Sequence, residues 1–229
     1  LCFDWQAGDR KAVDAAFEKA HHVTRVDLVN NRVVVNSMEP RVAIGDYDDS
    51  DGKYTLYTSS QGVHNLQRQL AQAILKVPTQ RVRVVTRDVG GGFGMKIFMY
   101  PEYALVVWAA KKVGRPVKWS EGRSEAFTTD TQGRDHVTTA ELALDQNGKF
   151  LALRVQTTAN LGAYLSNFGP YIPTMAGSKL YAAVYTFPAV LYAVKGVFTN
   201  TVPVDAYRGA GRPQAAYCVE RLVDAAARD

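Results

Sequence analysis

The feature that most constrains the fold is a run of glycines from Gly90 to Gly94, interrupted only by Phe93. Three glycines in succession suit neither a helix nor a strand, because glycine loses more backbone entropy on ordering than any other residue. The run follows the β-branched stretch 82–86 and precedes Pro101 and Glu102, which are typical of a helix start. The sequence therefore predicts a tight corner between a strand and a helix.

A second corner of the same design lies near the end of the chain. A predicted strand at 191–199 leads into Arg208-Gly209-Ala210-Gly211-Arg212-Pro213, and apolar residues then recur at helical spacing up to Ala226. The order strand, glycine turn, proline-started helix thus occurs twice. The sequence shows no internal repeat beyond this order of elements.

Hydrophobic periodicity predicts the remaining elements. The first are a helix capped by Asp9, a β-hairpin of 42–47 and 54–58 around Asp51-Gly52, and a helix between Ser60 and Pro78. Strands follow at 117–119, 136–144 and 150–158, the last two joined by a two-residue Asn147-Gly148 turn. The segment 163–184 is predicted to be irregular. We expect an α+β fold, mainly antiparallel sheet with packed helices.

Composition excludes several classes of protein. The chain is 47% hydrophobic and 21% charged, which is typical of a globular protein. A net charge of +5 without a basic stripe does not indicate nucleic-acid binding, and the longest apolar runs are too short for a transmembrane helix. Cys2 and Cys218 form no CxxC pair and the four histidines show no ligand spacing, so we expect no metal held by side chains and a cytoplasmic, reducing location.

The two glycine corners have the composition of an anion-binding loop. An ordinary tight turn would equally explain the glycines. Without Cβ atoms the backbone amides can turn toward one point, and a following helix N-terminus adds partial positive charge. Arg208 and Arg212 flank the second turn, and Gln61 stands between a predicted strand and helix. The spacing matches neither a Walker A loop nor a GxGxxG fingerprint, because Met95 follows Gly94.

Five motifs resemble, in order and approximate spacing, the first molybdopterin-binding domain of the xanthine dehydrogenase, aldehyde oxidase and carbon monoxide dehydrogenase large subunits. They are Ser37-Met38-Glu39-Pro40-Arg41, Tyr57-Thr58-Ser59-Ser60-Gln61-Gly62, Val89 to Lys96, Gly162-Ala163-Tyr164, and Ala206 to Gln214. The resemblance covers essentially the whole chain, and it implies a two-layer molybdopterin-binding domain at 1–229, with a division into two subdomains near 115–135.

The resemblance implies a role for particular residues. Gln61 matches the glutamine that hydrogen-bonds an oxo ligand of molybdenum. Gly91, Gly92, Phe93 and Gly94 match the loop that lies against the cofactor, and Arg208 and Gly209 match the second cofactor loop. The family holds molybdenum through the pterin dithiolene, which is compatible with the lack of a His/Cys cluster.

Three departures from the family pattern bear on the substrate. Ile97 stands where xanthine-oxidising relatives have a substrate-binding glutamate, and Ala210 falls where purine-using relatives place an aromatic wall. Gly209 stands where carbon monoxide dehydrogenases have a copper-binding cysteine. The sequence resembles the form II group, and we expect neither purine oxidation nor a molybdenum–copper centre.

The resemblance further implies a molybdenum hydroxylase acting on an aldehyde or N-heterocycle. The cofactor would be molybdopterin in its cytosine dinucleotide form. The expected partners are the remainder of the large subunit, an FAD-binding medium subunit and a small subunit with [2Fe-2S] clusters. The general-base glutamate would lie beyond Asp229, so neither Glu102 nor Glu121 is assigned that role. The alternative is that the 229 residues act alone as a non-catalytic anion-binding or assembly module.

Overall fold

The computed structural model describes residues 1–229, which form nine β-strands and five α-helices. In chain order these are β1 (Phe3–Gly8), α1 (Arg10–Glu18), β2 (His22–Asn30), β3 (Val42–Asp48), β4 (Lys53–Thr58), α2 (Val63–Arg68), β5 (Val82–Val85), α3 (Pro101–Val113), β6 (Val117–Ser120), α4 (Arg123–Thr129), β7 (His136–Leu144), β8 (Phe150–Asn160), β9 (Ala189–Val197) and α5 (Arg212–Ala226). None of the helices is both long enough and apolar enough to cross a membrane.

The chain divides into two compact units. The first contains Leu1–Val34 and Thr131–Asp229, and the second contains Val35–Asp130. The second unit is therefore an insertion in the chain of the first, which nothing in the sequence pattern indicated.

The first unit is built on a five-stranded sheet in the order β1-β9-β8-β7-β2. All neighbouring pairs are antiparallel except β8 and β9, which are parallel. Successive side chains of a strand point to opposite faces, and both faces of this sheet are covered. Leu142 and Leu153 pack on the side of α5, whereas Ala143 and Ala152 pack on the side of α1.

The second unit is built on a four-stranded sheet in the order β5-β4-β3-β6, with β4 and β5 parallel and the other pairs antiparallel. Helix α3 packs against β3, β4 and β6. Its Pro101 occupies the first turn, and Gly114 ends it in the left-handed conformation (φ 67°). The strand–corner–helix order around residue 92 is therefore confirmed.

Most predicted elements are present. The α+β class is confirmed, with five antiparallel and two parallel strand pairs. The Asp9 side chain accepts a hydrogen bond from Ala12 N (3.0 Å), so the predicted cap of α1 is confirmed. The hairpin of β3 and β4 and the final helix α5 are also where the pattern predicted them.

Three predictions need correction. The helix expected between Ser60 and Pro78 is α-helical only as α2 and continues as a π-helix over Gln69–Leu75, which ends at Lys76 with φ 55°. The β7–β8 turn is longer than two residues, because Asp145 N donates to Lys149 O (3.0 Å) across three intervening residues. The irregular segment 163–184 contains one π-helical turn, Ile172–Ala176. The sequence pattern did not predict strand β1 or helix α4.

Candidate functional site

The first glycine corner connects β5 to a 3-10 turn, Met95–Ile97, that precedes α3. Gly91 and Gly94 have φ values of 96° and 110°, which strongly favour glycine. Phe93 also lies in the left-handed region, at φ 52°, and its side chain is 44% exposed. An exposed aromatic residue in a conformation that costs about 1–3 kcal/mol is typical of a functional loop.

Gln61 is hydrogen-bonded to this corner at both its side chain and its backbone. Gly94 N donates to Gln61 Oε1 (2.9 Å), and Gln61 N donates to Lys96 O (3.0 Å). Since a backbone N–H can only donate, the carboxamide oxygen must face Gly94, and Nε2 is left as the donor of an exposed side chain. Gln61 is therefore in direct contact with the first glycine corner.

Gly92 allows the Gln61 side chain to lie against the corner. A Cβ atom at residue 92 would overlap Gln61 Oε1 and would lie 2.7 Å from its Cδ. Glycine is required here by close approach rather than by backbone conformation, because Gly92 has no positive φ. The N–H groups of Gly91, Gly92 and Phe93 have no acceptor within the chain, so the corner presents three successive amide donors.

A buried ion pair that the sequence did not predict holds the corner in place. Lys96 is fully buried, and its Nζ lies 2.7 Å from Glu39 Oε2, which also accepts from Gly90 N (2.9 Å). Glu39 N in turn donates to Gly90 O (3.0 Å). Partial burial raises the pKa of Glu39, but the hydrogen bonds from Lys96 and Gly90 outweigh it, and the pKa is lowered overall. One carboxylate therefore joins both ends of the corner.

The neighbouring Arg41 is buried among three acids. Its guanidinium contacts Glu102 (2.8 Å), Glu121 (2.8 Å) and Asp130, and it stacks over the Tyr100 ring at 3.7 Å. Burial raises the pKa of Asp130 to about 6, against the opposing effect of Arg41. Glu102 and Glu121 are therefore both paired with the buried Arg41.

Ile97 ends the 3-10 turn, and its N–H donates to Gly94 O (3.3 Å). The side chain is half-buried. Ile97 therefore lies within the same local structure as Gly94 and Gln61. A carboxylate is absent from this position of the corner.

The second corner lies in the first unit, between Asp205 and α5. Gly209, Ala210 and Gly211 have successive positive φ values of 97°, 43° and 92°. Ala210 N donates to Tyr207 O (2.8 Å), whereas the N–H groups of Gly209 and Gly211 have no acceptor within the chain. The corner therefore has two free amide donors, on either side of the bonded amide of Ala210.

The predicted residues of this corner are accessible. Arg208 and Gly209 are exposed and Ala210 is half-buried. Arg212 donates to Gly209 O (3.3 Å), so it caps the turn rather than extending away from it. Gln61, Gly91–Gly94 and Ile97 belong to the second unit, and Arg208–Ala210 to the first.

Gln214 is a further polar residue of the second corner to which the sequence assigned no role. It is 3% exposed, and neither its Oε1 nor its Nε2 has a hydrogen-bond partner in the chain. A buried carboxamide with both ends unsatisfied is costly, by about 1–3 kcal/mol per group. It stands in the first turn of α5, three residues after Gly211.

Two glycine corners with free amides, one of them in contact with a glutamine, are among the features on which the resemblance to molybdopterin-binding domains rests. The chain belongs to the molybdopterin cofactor-binding domain family, whose model matches residues 1–229.

Individual relatives agree with this assignment. The chain is 36% identical over 228 residues to the carbon monoxide dehydrogenase large chain of Hydrogenophaga pseudoflava, covering 99% of this chain and 28% of the relative. It is 34% identical to subunit gamma of the 6-hydroxypseudooxynicotine dehydrogenase complex of Paenarthrobacter nicotinovorans, covering 93% and 27%.

Among solved structures, quinoline 2-oxidoreductase from Pseudomonas putida 86 matches with a TM-score of 0.91 and 32% identity, over 99% of this chain and 29% of that one. The predicted family and its mixed α+β architecture are confirmed. The chain spans under a third of the length of these relatives.

Proposed function

We propose that this chain is the first cofactor-binding domain, at 1–229, of the large subunit of a molybdenum hydroxylase. The observation that carries the proposal is the fixed orientation of Gln61. Its Oε1 is occupied by Gly94 N, so its Nε2 is the atom available to a ligand. A carboxamide held by the backbone of the same loop is a preorganised donor, which costs no reorganisation when the ligand binds.

The chemistry of the two corners fits a molybdenum–pterin cofactor. Both corners offer unpaired backbone N–H groups, and such groups suit the oxygen atoms of oxo, pterin and phosphate groups. The unsatisfied amide of Gln214 has one donor end and one acceptor end, and a pterin carries both kinds of partner. When bound, the cofactor supplies the two-electron oxidation and the oxygen-atom chemistry of hydroxylation.

The chain's own residues bind and orient the cofactor. Gln61, Gly91, Gly92, Phe93 and Gly94 form the first contact surface, and Arg208 and Gly209 form the second. Phe93 is exposed in a constrained conformation, which suits an apolar wall that excludes water. Glu102 and Glu121 are hydrogen-bonded to Arg41, and neither is proposed as the general base.

The substrate proposed is an aldehyde or an N-heterocycle. Ile97 places an apolar side chain three residues after Gly94, so a carboxylate that would bind a purine is absent from this position. Gly209 has no thiol for copper, which separates this chain from a molybdenum–copper mechanism. Ala210 has no aromatic ring, and Ile97 and Ala210 are the proposed substrate-pocket residues.

The relatives support a multi-subunit assembly, since one is a large chain and another is subunit gamma of a complex. We extend this to an FAD-binding medium subunit, a small subunit with [2Fe-2S] clusters, the cytosine dinucleotide form of molybdopterin, and a cytoplasmic location. Electrons from the substrate would leave through these partners.

The test uses the complete large subunit, purified with its partners from a host that makes the cofactor. The expected result is molybdenum bound to the subunit and dye reduction with aldehydes or N-heterocycles, lost in Gln61→Ala. Turnover of xanthine or carbon monoxide as the preferred substrate would refute the substrate assignment. A complete assembly without molybdenum would refute the hydroxylase and favour the non-catalytic binding module.

A further inference from the structure

The second glycine corner is held from outside by one arginine, Arg134. Its Nη1 donates to Tyr207 O (2.8 Å) and its Nη2 donates to Arg208 O (2.7 Å), so the two terminal nitrogens of the guanidinium bind consecutive backbone carbonyls. The guanidinium carbon also lies 4.9 Å from the centroid of the Tyr207 ring. All of these groups belong to the first unit. A planar fork fixes both the position and the orientation of the peptide it binds.

The backbone that presents Arg134 is strained. Arg134 and Asp135 have consecutive positive φ values of 67° and 66°, although neither is a glycine. Such conformations persist only where the surroundings enforce them, and they concentrate at functional sites. Here the strain turns the Arg134 side chain toward the corner, while Asp135 points to other partners.

The surroundings do enforce this conformation. Gly133 exchanges two backbone hydrogen bonds with Val33 (2.8 and 2.9 Å). The Asp135 carboxylate accepts from Arg32 Nε and from Asn160 Nδ2, both at 2.8 Å. The residues on both sides of Arg134 are therefore anchored to the rest of the unit, and its backbone is not free to relax.

Gly133 allows the segment to reach the corner. A Cβ atom at residue 133 would overlap Tyr207 Cβ and would lie 3.1 Å from its Cγ. The segment Gly133-Arg134-Asp135 and the residues Tyr207-Arg208 are therefore fitted to each other directly.

We propose that Arg134 is a positioning residue that sets the geometry of the second glycine corner, and through it the Arg208 and Gly209 contacts to the cofactor. By accepting from a cation, the carbonyls of Tyr207 and Arg208 polarise the N–H groups of the peptides they belong to, those of Arg208 and Gly209. Arg208 and Gly209 are the two residues of this corner that the proposed function assigns to cofactor binding. The second step, the link to the cofactor, rests on the proposed function. The first step, the effect of Arg134 on the geometry of the corner, concerns the protein alone.

The first step is tested by hydrogen–deuterium exchange in the complete subunit assembly, prepared without cofactor from a host that cannot make it. We expect Arg134→Gln and Arg134→Lys to accelerate exchange in peptides that cover 207–212 by about tenfold or more, because neither side chain has the two parallel donors of the planar guanidinium. Lysine retains the charge, so it separates fork geometry from electrostatics, and it keeps the test valid if the glutamine variant folds poorly.

The matched control is Arg154→Gln. Arg154 is a half-buried arginine of the same unit that pairs with Glu141 (2.7 Å) and stacks over Phe17 (4.1 Å), without contact to the corner. Its loss should leave exchange in 207–212 unchanged. Unaltered exchange in both Arg134 variants, or equal acceleration in the control, would overturn the proposal.

The second step is tested in the cofactor-loaded assembly by molybdenum content and by the Mo(V) electron paramagnetic resonance spectrum. Lower occupancy or an altered spectrum in Arg134→Lys, with a normal spectrum in Arg154→Gln, supports the positioning role. Faster exchange with an unchanged spectrum and full occupancy would refute the link to the cofactor and contradict the assignment of Arg208 and Gly209. Wild-type assembly without molybdenum would refute the proposed function alone, and the exchange result would stand.

Discussion

Substitution of Gly92 by alanine separates stability from cofactor binding. The added Cβ would lie 2.7 Å from Gln61 Cδ and 3.0 Å from its Cγ, so the Gln61 side chain must move. Gly92 does not have a positive φ, so alanine strains no backbone at this position. The only interaction lost within the protein is the hydrogen bond from Gly94 N to Gln61 Oε1.

The expected cost to folding is therefore small. One hydrogen bond at an exposed side chain contributes about 0.5–1.5 kcal/mol, and the displaced Gln61 can find another rotamer. The expected cost to cofactor binding is larger, because the donor itself is displaced. A lost hydrogen bond to a charged or strongly polar group is worth about 1.5–3 kcal/mol, which is roughly a ten- to hundredfold loss of affinity.

The assay compares four proteins in the complete subunit: wild type, Gly92→Ala, Gln61→Ala and the double variant. Unfolding midpoints are measured without cofactor and molybdenum content with it. Because the clash is with Gln61 alone, Gly92→Ala should add no further destabilisation to Gln61→Ala. Gly122→Ala is the control, since a Cβ there would meet no atom within 4 Å. Wild-type molybdenum content in Gly92→Ala, or strongly additive destabilisation, would refute the geometry assigned to Gln61.

Three further predictions concern buried groups. Burial lowers the pKa of His136 to about 4, so the stability that neutral His136 contributes is present above its unfolded pKa of about 6.5 and is lost as pH falls through 4. The loss approaches about 3 kcal/mol, and His136→Gln should flatten the dependence of the unfolding free energy on pH over this range. An unchanged slope in this variant would exclude His136 as the source of the pH dependence. Burial raises the pKa of the Cys218 thiol to about 12, so iodoacetamide mapped by mass spectrometry should label Cys218 only after unfolding, and rapid native labelling would contradict its burial. Glu39→Gln should lower the unfolding free energy by about 1–3 kcal/mol, a range that allows for solvent screening because the Glu39 side chain is one-third exposed. Adding Lys96→Met should recover part of this loss, because it removes the unpaired buried charge of Lys96. No recovery would show that the buried charge is not the cause.

The local elements could be predicted where residue chemistry alone decides them. Asp9 caps α1 and Gly114 ends α3, because each acts through its own backbone or side chain. The hairpin around Gly52 was predictable for the same reason, since its φ of 67° suits glycine. Both corners were predicted as turns with free amides, and the order of motifs identified the family.

The contacts that hold the two glycine corners in place could not be predicted, because they join residues that lie far apart in the chain. Glu39 and Lys96 are 57 positions apart, and Arg134 and Arg208 are 74 apart. Neither pair leaves a periodic signal, and a left-handed Arg134 contradicts its own conformational preference. The insertion of one unit into the other likewise depends on which strands pair, which no local pattern encodes.

The proposal that the two glycine corners bind a molybdenum cofactor is tested most directly by anomalous diffraction at the molybdenum edge, from crystals of the cofactor-loaded protein. The expected map has its molybdenum peak beside the Gln61 amide, with an acceptor atom of the cofactor about 2.7–3.2 Å from Nε2, and with cofactor density against Arg208 and Gly209. A molybdenum peak remote from Gln61, or cofactor density that touches neither corner, would contradict it.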